Sequence, residues 1–238
     1  MSAKRKILTL VSGLLISLLL APAQAHNLNK SIKVDDGSQT DGHSTVNGSI
    51  TVGRDATVTG ALETVNGTIR IGENSRVEDA ETVNGGVRVD AGVSARDISS
   101  VNGTIRLAEK VTVAGEISVV NGRIEVDSGS KVSRNVSNVN GEISIAGADI
   151  GGDLSTVNGD VALSDQATLR GDLIVEKPGG RNNSSRKPQI VVGPGSRVEG
   201  EIRLEREVEL FISDTAHVGG VTGVMGMEDA MRFKGERP

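Results

Sequence analysis

The chain has 238 residues, with 26 Lys and Arg against 31 Asp and Glu, a formal net charge of −5 and no cysteine. That composition excludes a disulfide-stapled fold, a lipid anchor on an amino-terminal cysteine and a basic nucleic-acid-binding surface. With no Trp, no Tyr and only two Phe, the aromatic girdles of an outer-membrane barrel are excluded too.

Residues 1–25 read as a secretory signal peptide. Lys4, Arg5 and Lys6 give a positive start, Ile7 to Leu20 is almost wholly apolar, and Ala23-Gln24-Ala25 is a small-x-small cleavage site. The apolar run is short for a membrane anchor, so no integral membrane segment is expected after cleavage. The mature chain would begin at His26 and hold 213 residues (238 − 25). The expected destination is the periplasm, outer surface or medium of a bacterium.

From Leu28 the sequence becomes periodic. Val-Asn-Gly occurs seven times, with asparagines Asn47, Asn66, Asn84, Asn102, Asn121, Asn140 and Asn158 and glycines Gly48, Gly67, Gly85, Gly103, Gly122, Gly141 and Gly159. Subtraction gives intervals of 19, 18, 18, 19, 19 and 18 residues, and a fixed period of this length marks a stacked repeat. Leu28-Asn29-Lys30-Ser31-Ile32-Lys33-Val34 is a degenerate first copy. After each Asn-Gly comes apolar-polar-apolar, as in Ile69-Arg70-Ile71, which is a strand with one buried face. A second pattern, apolar-x-Gly-x-apolar, follows in most copies: Val58 to Leu62, Val113 to Ile117, Ile150 to Leu154, Leu169 to Leu173 and Val198 to Ile202.

Asn-Gly between apolar runs also signals a hairpin. In a two-residue hairpin Val65 would face Thr68, Val120 would face Arg123 and Val139 would face Glu142, so each copy would split its apolar residues between two faces. A parallel β-helix avoids that conflict. Asn-Gly then becomes a corner, glycine supplying positive φ and stacked asparagines forming an amide ladder at a spacing of about 4.8 Å. The expectation is an all-β, single-stranded parallel β-helix over 26–221, of about nine or ten coils of 18–19 residues. A loop rich in Gly, Asn, Ser, Lys and Arg interrupts it at 177–188, and a tail over 222–238 ends it as a cap or a disordered end.

No catalytic residue, cofactor site or metal site stands out. His26, His43 and His217 are far apart in the coil order. Asp90 and Asp127 share a column that Gly53, Gly72, Ala108 and Ala146 fill elsewhere, which is a solvated face rather than the carboxylate pair of a polysaccharide-cleaving enzyme. Thr45, Thr64, Thr82 and Thr156 share a column read as outward, which would suit an ice-binding array, but Ser100, Val119 and Asn138 interrupt it. Arg70, Arg88 and Arg106 stack on consecutive coils, a candidate anion site for acidic polysaccharide or lipopolysaccharide, although the column turns acidic at Glu125.

The apolar-x-Gly-x-apolar copies resemble those of bactofilins, and Val65-Asn66-Gly67-Thr68-Ile69-Arg70-Ile71 with its copies resembles a group of adhesin-like bacterial β-helices. The similarity covers roughly Leu28 to Val221. The bactofilin resemblance implies a right-handed helix and end-to-end polymers formed without nucleotide, whereas the secretion signal departs from a cytoskeletal role. The leading expectation is a non-enzymatic exported scaffold or surface protein, self-assembling or adhesive. The alternatives are a module for anionic envelope polysaccharide and, behind it, a carbohydrate-active enzyme.

Overall fold

The computed structural model describes residues 29–179 and 186–238. The segment over 1–25, expected to be a signal peptide, and the centre of the expected loop over 177–188 lie outside the described residues. The remainder is all-β apart from one short 3-10 turn, Met227–Asp229. Every strand pairing among the described residues is parallel. Asn66 lies beside Asn47 on one side and Asn84 on the other, so the chain is a β-solenoid and the hairpin topology is excluded.

Each coil contributes three faces. The first is laid down by the segment after each Asn-Gly: Ile32–Val34, Ile50–Val52, Ile69–Ile71, Val87–Val89, Ile105–Leu107, Ile124–Val126, Ile143–Ala146, Val161–Ser164, Gln189–Val192, Glu209–Ser213 and Met231–Phe233. These eleven strands form one sheet, with ten turns of chain between the first and the last. The second face uses two-residue strands such as Thr112–Val113 and Lys131–Val132, and the third uses longer ones such as Leu62–Asn66 and Asp97–Asn102. Arg197–Leu204 runs straight through the corner between them, pairing with both Thr168–Leu169 and Leu173–Val175.

The alternation in the sequence decides what fills the interior. Ile50, Ile69, Val87, Ile105, Ile124, Ile143 and Val161 stack in one buried column, and Val52, Ile71, Val89, Leu107, Val126, Ile145 and Leu163 in the next. Between them Arg70, Arg88 and Arg106 point to solvent. The core is one continuous aliphatic cluster from Val34 to Ile212. Because each coil covers the open face of its neighbour, burial is shared along the stack, and no coil could bury its apolar side chains alone.

The carboxy-terminal boundary differs from the expected one. The solenoid continues past Val221: His217–Gly223 pairs with Arg197–Leu204, and Met231–Phe233 adds to Glu209–Ser213 as the last strand of the first face. Met225, Met227 and Ala230 pack against the end of the core, and the Val208 N–H points at Met225 Sδ, 3.4 Å away. Unbranched methionines adapt to the irregular surface at this end, where the aliphatic columns stop among the described residues.

Candidate functional site

The Asn-Gly corner is the most repeated structural feature. Starting at Asn29, each asparagine accepts at Oδ1 from the Nδ2 of the asparagine one coil later. The seven distances, from Asn47 to Asn158, lie between 2.7 and 3.0 Å. All the amides point the same way along the axis. The ladder ends at Asn158 because Lys177 takes the next asparagine position, two residues after the Thr156–Val175 pairing. There Arg206, from the following coil, reaches across the gap. Its Nη1 donates to Asn158 Oδ1 at 2.9 Å and to the Val157 carbonyl at 3.2 Å, and its Nη2 donates to the Arg186 carbonyl at 2.9 Å. A guanidinium thus takes the place of the missing asparagine on the carbonyl end of the column, where aligned amide dipoles favour positive charge.

The glycines of this corner are required for a different reason from the expected one. Only Gly122 and Gly141 of the seven have positive φ, and no corner asparagine does. What forces glycine is close stacking. A Cβ on Gly67, Gly85, Gly103 or Gly122 would sit 1.9 Å from the carbonyl oxygen of the corner glycine one coil earlier. The left-handed corner lies instead between the first and second faces, at Gly37, Asp55, Asn74, Gly92, Lys110, Gly129, Gly147 and Gly195, with φ between 53° and 72°.

The threonine column faces inward, which removes the ice-binding reading. Thr45, Thr64, Thr82 and Thr156 are buried. Thr64 and Thr82 donate to the carbonyls of Gly48 and Gly67 at 2.9 and 3.1 Å. Ser100 and Asn138 make the same bond to Gly85 and Gly122, each at 2.9 Å. Ser100 and Asn138 therefore preserve the chemistry that matters, an inward donor for a buried corner carbonyl, whereas Val119 is aliphatic and supplies none.

A further ladder escaped the reading of the sequence. At the apolar-x-Gly-x-apolar corner, side-chain oxygens of Asp97, Asn135, Asp153 and Asp172 accept from the backbone N–H of Glu116, Asp153, Asp172 and Glu201, at 2.8–3.0 Å. The glycine of that motif leaves room for the accepting oxygen: a Cβ on Gly115 would lie 1.9 Å from Asp97 Oδ1, and one on Gly171 2.5 Å from Asp153 Oδ1. The signal in the sequence is an Asp or Asn at this position in four coils, although only Asp153 and Asp172 of the four follow the glycine of the motif.

The arginine column is assembled in register, Arg70 beside Arg88 and Arg88 beside Arg106. Arg106 is committed to an ion pair with Glu125. Arg70 and Arg88 make no ion pair among the described residues. With Thr68, Gly86, Val87 and Thr104 the three arginines line a shallow open depression of about 260 Å³. On the third face Glu63 and Glu81 stack in register. Burial, and then the neighbouring Glu63, Asp79 and Asp97, push the Glu81 carboxyl up to about 7, with Arg96 opposing.

His43 contacts Thr40 Oγ1 at 3.2 Å, and burial lowers its pKa against the opposing pull of Asp41. His217 is exposed, and His26 lies outside the described residues. No group of three or more His, Cys, Asp or Glu that could hold a metal ion is found among the described residues, and no helix there is long and apolar enough to cross a membrane. Comparison with protein-family models, with curated proteins and with solved structures finds no match to this chain.

Proposed function

We propose that this chain is a non-enzymatic structural β-solenoid, exported from a bacterial cell to act as a scaffold or surface element of the envelope, and able to associate end to end with copies of itself. The observation that carries the reading is the uniformity of the stack. Side chains of the same kind repeat at the buried positions coil after coil, where the columns are aliphatic or supply donors to corner carbonyls. Such an interior is organised for rigidity and length. Both ends of a parallel stack carry strand edges, and an unpaired edge templates a further strand. Export rests on the charged start, apolar stretch and Ala23-Gln24-Ala25 of the sequence.

The test is to express the full chain in a secreting bacterial host and recover the exported product. Mass spectrometry should find a new terminus at His26. Sedimentation velocity and electron microscopy over a wide concentration range should then show rods that lengthen as concentration rises. A strict monomer at the highest concentration removes self-association, and retention of residues 1–25 in the cytoplasm removes export.

A further inference from the structure

We propose that Arg70 and Arg88, with Thr68, Gly86 and Thr104, form a binding track for a linear acidic polysaccharide lying along the solenoid axis. The two side chains leave adjacent strands in register, so their backbone origins stand about 4.8 Å apart along the solenoid axis. Both are exposed. Neither is neutralised by an ion pair among the described residues, whereas Arg106, the next in the column, is held by Glu125. Asp90, two residues after Arg88, forms no ion pair with it. Within this outward column the cations without an ion pair therefore sit on two adjacent coils, between Thr51 and the paired Arg106, on a molecule whose net charge is −5.

The floor of the depression between them supplies neutral donors. Gly86 stands where Ser49, Thr68 and Thr104 carry a side chain, and it lines the depression between the arginines. One coil earlier the Thr68 N–H donates to Ser49 Oγ at 3.3 Å, so an N–H at this position is within reach of an oxygen at the outer surface. The equivalent Gly86 N–H has no hydrogen bond among the described residues. Paired guanidiniums, hydroxyls and an open backbone N–H suit carboxylate or sulfate oxygens.

The linear arrangement distinguishes a polymer from a single ion. Successive charges of one chain can meet successive coils, and each weak, exposed contact is reinforced by its neighbour. Nucleic acid fits poorly, since the depression is lined by no aromatic ring on which a base could stack.

The experiment measures binding of the full chain to dextran sulfate and to polygalacturonate, with neutral dextran and inorganic sulfate as separate arms. The wild type should bind one or both acidic polymers in a salt-sensitive manner and ignore neutral dextran. The double variant R70A/R88A should weaken binding about tenfold. The charge-matched control R54A/R134A, which alters exposed arginines elsewhere, should leave it unchanged. E125Q frees Arg106 and should tighten binding a few fold, a gain that misfolding cannot mimic. Equal binding by the two double variants overturns the proposal, as does a neutral E125Q. Saturation by inorganic sulfate with no added affinity for either polymer overturns the polymer as ligand. None of these outcomes depends on whether the solenoid self-associates.

Discussion

Glycine does two separate jobs in this chain, and the difference can be measured. At Gly103 the obstacle is contact, since an added methyl would lie 1.9 Å from the Gly85 carbonyl oxygen and 2.4 Å from its carbon. At Gly129 the obstacle is conformation, φ +72°, with the nearest foreign atom being a flexible Lys110 side-chain carbon at 3.3 Å. Gly129→Ala should therefore cost about 1 kcal/mol, the ordinary penalty for a Cβ in the left-handed region. Gly103→Ala must push two coils apart and should cost about 3 kcal/mol or more. Chemical denaturation of both variants checks the order, and equal losses would mean that the coils are not closely stacked at this corner. The existence of a special corner at Val-Asn-Gly was legible in the sequence because its letters never change. The left-handed corner was not, because glycine alternates there with Asp55, Asn74 and Lys110, and no constant letter betrays the backbone.

At the level of strands, register converts a sequence column into a physical one, for better and for worse. Asparagine gains from it, because an amide is both donor and acceptor and can bond to copies of itself indefinitely. Glutamate does not. Glu63 and Glu81 are brought side by side by the same pairing that aligns the asparagines around the corner, and two carboxylates sharing a site resist joint ionisation. The consequence follows from linkage. In the unfolded chain Glu81 titrates near 4.5, and in the fold burial and its acidic neighbours raise it to about 7. Folding thus favours the protonated form, so stability is lost as pH rises from about 4.5 through 7. Glu81→Gln should remove that slope and stabilise the protein by roughly 1–2 kcal/mol at pH 8, after discounting for partial exposure. Thermal melts across pH 4–8 decide it, and parallel profiles for variant and wild type would refute it. The paired strands themselves were readable from alternation and period. The direction of the threonine column was misjudged as a candidate outer array because a hydroxyl reads as solvent-facing until its buried carbonyl partner is known.

For the molecule as a whole, the corner after Thr156 divides the stack into two stretches with different corner residues, asparagines up to Asn158 and Lys177 and Arg206 beyond it. Before it, asparagines run from Asn29 to Asn158. After it, the corner segment holds Arg206, whose contacts to Val157, Asn158 and Arg186 join the coils on either side. No sequence pattern reveals this link, since Arg206 and Asn158 are 48 residues apart and an irregular insertion separates them. In a repeat protein, cooperativity passes from unit to neighbouring unit, so the weakest junction sets where unfolding splits. Arg206→Met keeps the length of the side chain and deletes its donors. We expect the denaturation curve to change from one transition to two, with the segment after that corner unfolding first. A single transition shifted as a whole would show that the aliphatic core alone carries the junction.

The repeated register has one more consequence, for how such a chain can change over generations. Asn84 and Asn102 occupy equivalent positions, and so do Gly85 and Gly103. Excising residues 85–102 would join Asn84 to Gly103 and leave a Val-Asn-Gly at the seam, with every surviving residue meeting a neighbour of the kind it had before. Duplicating the same segment would do the reverse. Lineages can therefore alter the reach of this rod in whole increments, one turn gained or lost at a time, while both of its termini keep their original form.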